Sequence, residues 1–72
     1  MFFANKEDVE NCKIIVRKEI CERSLFQLED VIDDIVQEIM NITYSKGGDY
    51  KENTLTAFTK LYFDNEFYNK LL

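Results

Sequence analysis

The side chains of this chain that are best suited to acid–base or metal chemistry are carboxylates. The sequence has 14 aspartates and glutamates, two cysteines and no histidine. Carboxylate pairs act as general acid and base in many enzymes, and oxygen clusters hold hard cations such as Ca²⁺. A group of carboxylates that lies close together in the sequence is therefore the first candidate site. We call this group the acidic face: Glu29, Asp30, Asp33, Asp34 and Glu38.

The surrounding sequence does not predict catalysis by the acidic face. Carboxylate catalysis needs an apolar pocket, whereas these residues are expected on a solvated helix surface. The sequence has no Gly-x-Ser-x-Gly motif and no glycine-rich phosphate loop, and the Gly47-Gly48 pair is typical of a turn. We therefore expect that the protein is not an enzyme and that it binds no cofactor.

Metal binding and disulfide formation are not predicted either. The acidic face lacks the Asp-x-Asp-x-Asp-Gly spacing of a calcium loop, so we expect a solvated surface and no metal. Cys12 and Cys21 fall on one predicted helix, nine positions apart, which separates them by about 13 Å and puts them beyond disulfide reach. We expect free, mostly buried thiols in a reducing cytosol.

The acidic face belongs to a segment, residues 24–45, that contains no Lys or Arg. On a helix, at about 100° per residue, apolar residues cover more than half of its circumference. An ordinary surface helix has a narrower apolar stripe. The pattern predicts a central amphipathic helix that is packed on two sides and exposes its carboxylates. Its apolar residues are Leu25, Leu28, Val31, Ile32, Ile35, Val36, Ile39, Met40 and Ile42.

The sequence predicts an all-α fold, a small three- to four-helix bundle with helices at about 6–23, 25–44, 54–63 and 65–71. Asn5 is expected to cap the first helix, and Ser24 with Gln27 to form a capping box for the second. A β-strand through residues 14–16 and a helix that continues across Ser24 are the competing interpretations. The segment 45–49, which contains the Gly47-Gly48 pair, is a predicted helix stop with a candidate left-handed glycine.

The end of the chain is expected to hold two further helix starts. Asn53 is the candidate cap of the third helix, and Asp64 of the short fourth helix. The third helix is predicted to bury a face that includes Leu61. Leu71 and Leu72 are expected to dock at the end of the bundle.

The chain is short for its apolar content. Its 72 residues make a single domain, and domains of this size bury only about 60% of their unfolded surface. Ile14 and Cys21 fall off the apolar stripe of the first helix, so they are the candidate contacts of a homodimer. The sequence leaves open whether the bundle closes within one chain or is completed by homodimerisation.

The net charge of −5 excludes some partner classes. Proteins that bind nucleic acid directly, or an anionic membrane surface, need a basic surface. No apolar run approaches the length of a membrane span, and Phe2 and Phe3 are followed at once by polar residues rather than by the apolar core of a signal peptide. We therefore expect a cytoplasmic protein that binds neither nucleic acid nor membrane.

Two hypotheses explain the acidic face. In the first, it binds a basic surface of another protein, such as one that normally holds nucleic acid, because carboxylates along a helix imitate a row of phosphates. Tyr44 and Tyr50 are its candidate anchors. The chain would then act as an inhibitor, antirepressor or adaptor, which agrees by analogy with small acidic phage proteins.

In the second hypothesis the acidic face only keeps the protein soluble, and the chain is a homodimeric structural or assembly module. Basic side chains of the same chain would then fold against the carboxylates and neutralise them. The candidates for this role are Lys13, Arg17, Lys18, Arg23 and Lys60.

Overall fold

A computed structural model describes residues 5–72, and every regular element in this range is helical. Three α-helices span Lys6–Glu22 (α1), Ile32–Ser45 (α2) and Glu52–Asp64 (α3). Two 3-10 helices, Phe26–Val31 and Phe67–Leu71, follow α1 and α3. The expectation that concerned Phe2 and Phe3 lies outside the described residues.

The three α-helices pack against one another around a common core. The Cα radius of gyration is 11.1 Å, which is what a compact chain of this length has. The prediction of an all-α bundle is therefore confirmed. The core contains apolar residues from all three α-helices and both 3-10 helices: Cys12, Val16, Ile20, Leu28, Ile32, Ile35, Val36, Ile39, Met40, Leu55, Tyr62, Phe63 and Tyr68. Among residues 5–72, no helix combines the length and the apolar character that crossing a membrane requires.

Helix α1 begins as the sequence predicts. The side-chain oxygen of Asn5 accepts a hydrogen bond from the backbone N–H of Asp8 at 2.8 Å, which satisfies one of the free donors of the first turn. The alternative of a strand at residues 14–16 is wrong, because α1 continues through these residues to Glu22.

Ser24 ends α1 and does not cap the next helix, so the predicted capping box is wrong. Ser24 has φ 57°, its N–H donates to the carbonyl of Cys21, and the N–H of Leu25 donates to the carbonyl of Ile20. These two hydrogen bonds form a Schellman motif, in which a left-handed residue closes the C-terminus of a helix. A continuous helix across Ser24 is excluded for the same reason.

The predicted second helix is two elements. Residues 26–31 form a 3-10 helix, and α2 begins only at Ile32. Apolar side chains at positions 25, 28 and 31 recur every three residues, which is the period of a 3-10 helix. This spacing was present in the sequence and marks the change of helix type. The central α-helix is accordingly shorter than predicted, and the acidic face spans both elements.

Two adjacent glycines connect α2 closely to α3. Gly47 has φ 71° and occupies the left-handed position of a second Schellman motif, so a left-handed glycine does end α2 in segment 45–49, as predicted. A Cβ atom on Gly48 would lie 3.2 Å from the Cγ2 atoms of both Thr43 and Thr54, so the lack of a side chain lets the two helices approach. Helix α3 begins at Glu52, which places Asn53 inside the first turn and makes its predicted capping role wrong.

The end of the chain turns sharply after α3. Asp64 is the last residue of α3 and caps no new helix, contrary to the prediction, because Glu66 at φ 54° stops α3 and precedes the final 3-10 helix. Leu71 packs against the core, but Leu72 is exposed. Leu61 is 48% exposed, so the buried face of α3 does not include it, contrary to the prediction.

Candidate functional site

The acidic face is divided between two elements. Glu29 and Asp30 lie in the first 3-10 helix, whereas Asp33, Asp34 and Glu38 lie in α2. The two helix types have different numbers of residues per turn, so the five carboxylates do not follow one straight helical line. They face two sides of α2 and the solvent between them.

On one side, α1 supplies cations to the acidic face. The Nζ atom of Lys13 lies 3.2 Å from the carboxylate of Asp33, and the Nε atom of Arg17 lies 3.9 Å from that of Glu29. Asp33 is 86% exposed in its side chain, so the first of these ion pairs is well solvated. Exposed pairs of this kind contribute about 0–1 kcal/mol each, but they remove part of the repulsion between neighbouring carboxylates.

On the other side, Glu38 is held by α3 and the C-terminal 3-10 helix. Its carboxylate lies 2.7 Å from the Nζ atom of Lys70 and accepts a hydrogen bond from the hydroxyl of Tyr62. Burial raises the pKa of Tyr62 above its ordinary value, and the hydrogen bond to Glu38 and the charges of Glu38 and Asp34 raise this pKa further. Both carboxylates therefore act on the Tyr62 hydroxyl.

Asp30 and Asp34 are the members of the acidic face that form no ion pair within residues 5–72. Both side chains are exposed. Of the basic residues expected to neutralise the acidic face, Lys13 and Arg17 do so, whereas Arg23 and Lys60 pair elsewhere. Internal pairing thus accounts for part of the acidic face and leaves two adjacent turns of negative charge in solvent.

A groove runs between α2 and the C-terminal 3-10 helix, next to the acidic face. Its volume is about 400 Å³, and we call it the aromatic groove. The ring of Tyr62 meets that of Phe67 nearly edge-on, with 5.8 Å between the ring centroids. Phe67 is 45% exposed, so part of its ring is open to solvent. The groove is lined by Glu38, Asn41, Ile42, Tyr62, Phe67 and Lys70.

The two predicted tyrosine anchors differ in exposure. Tyr44, near the end of α2, is 56% exposed. Tyr50 is half-buried and packs against the core. Burial raises the pKa of Tyr50 above its ordinary value, and the nearby Tyr44 and Asp8 add to this increase. Tyr44 therefore offers contact area to a partner, whereas much of Tyr50 is already used inside the fold.

The candidate dimer contacts lie on the outer surface of α1. Ile14 is 66% exposed, and Cys21 is exposed as well, which differs from the expectation that both thiols are mostly buried. Ile14 and Ile15 line a second groove, of about 310 Å³, between α1 and α3. Cys12, in contrast, is fully buried, and burial raises the pKa of its thiol to about 12.

The best-connected charged group is one that the sequence did not single out. Glu19 is 4% exposed, and its carboxylate accepts from the Nε atom of Arg23 at 3.0 Å and from the Nζ atom of Lys60 at 3.1 Å. Arg23 also donates to Asp64 at 2.8 Å, and its guanidinium lies over the ring of Phe63. This group, which we call the α1–α3 network, connects the two helices.

The pKa of Glu19 reflects two opposing effects. Burial raises this pKa, but the hydrogen bonds and positive charges of Lys60 and Arg23 outweigh burial and hold it below its ordinary value of 4.5. Every carboxylate oxygen of Glu19 has a cationic partner. The network is therefore suited to joining helices rather than to proton transfer.

Within residues 5–72, no three acidic or cysteine side chains lie close enough together to hold a metal ion. No protein-family model matches the chain, and neither the curated proteins nor the solved structures provide a match. The described part of the fold leaves open the solvent-exposed part of the acidic face, the aromatic groove beside it, and the second groove between α1 and α3.

Proposed function

We propose that this chain is a non-enzymatic, cytoplasmic protein-interaction module that binds a basic surface of a partner protein. It would act as an inhibitor, antirepressor or adaptor by occupying that surface. A surface that normally holds nucleic acid is the best-matched partner, because spaced carboxylates resemble phosphates in charge. The proposal assigns recognition to the acidic face, with Tyr44, which is exposed near the end of α2, as an anchor.

One observation carries this proposal. Asp30 and Asp34 stay exposed and without an ion pair in the described chain, although α1 and the C-terminal 3-10 helix supply cations to their neighbours. Asp34 and Glu38 lie four residues apart in α2, and like charges at this spacing destabilise a helix by a few tenths of a kcal/mol. Folding supplies no cation to Asp30 or Asp34 within residues 5–72, and a basic partner would supply it.

The test is capture of a partner by the immobilised protein from an extract of the source cells, at low and at high salt. We expect a basic protein to be retained at low salt and released at high salt, because salt screens exposed charges. The double variant D30K/D34K is expected to bind the purified partner about tenfold or more weakly, which corresponds to about 1.4 kcal/mol.

The matched control is the double variant E10K/E22K, which makes the same change of net charge at exposed positions of α1. It is expected to bind nearly as well as the native chain. An equal loss of affinity in both double variants would show that the effect comes from overall net charge rather than from the acidic face. Unchanged binding of D30K/D34K would remove the acidic face from the interface and contradict the proposal.

A homodimeric assembly module is the second candidate. Exposure of Ile14, at 66%, beside an open groove between α1 and α3 favours it, because an exposed apolar side chain next to a groove is a natural contact for a second copy. Light scattering at micromolar concentration should then give twice the monomer mass. The substitution Ile14→Glu should restore the monomer, and a monomer in the native chain would contradict this alternative.

A further inference from the structure

The aromatic groove already holds one cationic side chain. Lys70 reaches from the C-terminal 3-10 helix to the carboxylate of Glu38, at 2.7 Å. The side chain of Lys70 is 63% exposed, whereas that of Glu38 is 25% exposed. The carboxylate side chain is thus largely covered by the walls of the groove, whereas the lysine side chain approaches it from the solvent. The position of Lys70 indicates that the groove accepts a positively charged group.

The charges around the groove favour a second, external cation. Asp34 lies one turn before Glu38 on α2, is exposed and has no ion pair within residues 5–72. Its charge reaches the Tyr62 hydroxyl, since it contributes to the raised pKa of Tyr62. The lining of the groove holds one carboxylate, Glu38, and one cation, Lys70, so the exposed Asp34 one helical turn away gives this part of α2 an excess of negative charge.

The floor of the groove fits a flat, weakly hydrated cation with an apolar stem. Phe67 offers a partly exposed ring, and the half-buried Ile42 lines the groove beside it. A guanidinium group is planar, stacks on aromatic rings and donates to two carboxylates at once. An ammonium group is a compact, strongly hydrated charge that gains less from such a floor.

We propose that the aromatic groove is a binding site for one arginine side chain of the partner protein, with the guanidinium at Asp34 and Glu38 and the stem on Phe67 and Ile42. This inference rests on the proposed function, because it names the residue type by which a basic partner would be recognised. Lys70 is then the internal competitor that the arginine displaces from Glu38.

The test uses n-butylguanidinium as the probe, titrated into the ¹⁵N-labelled protein while backbone amide shifts are followed by NMR. We expect saturable shifts centred on Asn41, Ile42 and Phe67, with a dissociation constant on the order of millimolar for so small a ligand. The variant Lys70→Ala is expected to bind the probe about three- to fivefold more tightly, because the exposed ion pair that competes with the probe for Glu38 is lost.

Three comparisons make the result specific. The variant Asp34→Asn should weaken binding of the probe, because Asp34 lies one turn from Glu38 on α2. The matched variant Asp30→Asn, in the preceding 3-10 helix, should not. The uncharged n-butanol should produce no saturable shifts at the same residues. The lysine analogue n-butylammonium should bind more weakly than the guanidinium probe.

The proposal is overturned if the probe produces no saturable shifts in either the native chain or Lys70→Ala. Equal binding to Asp34→Asn, equal shifts with n-butanol, or tighter binding of n-butylammonium would overturn it as well. The experiment contains no partner protein, so its failure removes the arginine site alone. Failure of the proposed function appears separately, as unchanged partner binding by D30K/D34K.

Discussion

Among residues 5–72, three residues hold the backbone in the left-handed region, and each lies just after the end of an α-helix. They are Ser24, Gly47 and Glu66, with φ values of 57°, 71° and 54°. Glycine adopts this conformation freely, whereas for a residue with a side chain it costs about 1 kcal/mol or more. Two of the three helix stops in the described chain are thus less stable than a glycine would make them.

Replacement of Ser24 by glycine is therefore expected to stabilise the protein. The gain should be about 0.5–1 kcal/mol, because relief of strain exceeds the added chain entropy of glycine in the unfolded state. Urea unfolding followed by circular dichroism measures it as a higher midpoint. The matched control is Ser45→Gly, at an exposed serine in the last turn of α2, which should lower the midpoint instead. A lower midpoint for Ser24→Gly would contradict the assigned stop.

Sequence reasoning at this scale succeeded where one residue type has one dominant role. Asn5 before a charged first turn is a cap, and Gly47 after an apolar-periodic segment is a stop. Ser24 was misassigned because serine followed by Gln27 fits a capping box by spacing alone. Glu19 was not singled out because nothing in the pattern of a single helix shows that a carboxylate will meet cations from another helix.

At the scale of elements, the α1–α3 network fixes how two helices meet. Glu19 is the buried centre, and its partners Arg23 and Lys60 are 31% and 53% exposed in their side chains. A buried carboxylate that loses its cations costs several kcal/mol. The network therefore disfavours arrangements in which α3 does not bring Lys60 to Glu19, more than it adds net stability to the native one.

The substitution Glu19→Gln is expected to cost about 1–2 kcal/mol at pH 7, because charge-assisted hydrogen bonds are lost while the shape is kept. The pKa of Glu19 lies below its ordinary value of 4.5 in the folded chain, so its stabilisation is complete above that value and is lost as the pH falls below it. Urea unfolding at pH 7 and at decreasing pH should show the difference between native and variant shrinking below 4.5.

The exposed substitution Glu10→Gln is the control for this prediction, since Glu10 lies on α1 without an ion pair in the described range. Its effect on the free energy of unfolding should be within about 0.5 kcal/mol at either pH. A Glu19→Gln variant that unfolds like the native chain at pH 7 would show that the network does not join the helices.

The second predicted helix shows where pattern reading failed at this scale. The apolar residues from Leu25 to Ile42 do cover a wide face, and most of them are buried as expected. Near Val31 the spacing of apolar residues changes from three residues to 3.6 residues per turn. The prediction assumed 3.6 residues per turn for the whole segment, so it missed this change. The division moves Glu29 and Asp30 off the axis of α2 and so separates the acidic face into two groups.

At the scale of the whole molecule, charge is arranged around α2. Cations from α1 lie on one side of it and Lys70 lies on the other, with Asp30 and Asp34 exposed to solvent. Apolar periodicity and the rarity of glycine were enough to predict a helical bundle, because both determine local helix formation. The pairing of charges depends on which helices are neighbours. The sequence pattern of one helix does not show which other helix packs against it, so the ion pairs could not be predicted.

The two thiols differ so much in exposure that their rates of chemical modification report how fast the core opens. Cys21 is exposed, whereas Cys12 is fully buried and burial raises its pKa to about 12. Because the thiolate is the reactive form, a disulfide reagent at neutral pH should modify Cys21 at once and Cys12 only when α1 leaves the core. We expect two phases in the absorbance record, the slow one accelerating as urea is added. A single fast phase for both thiols would mean that the core around Cys12 opens freely.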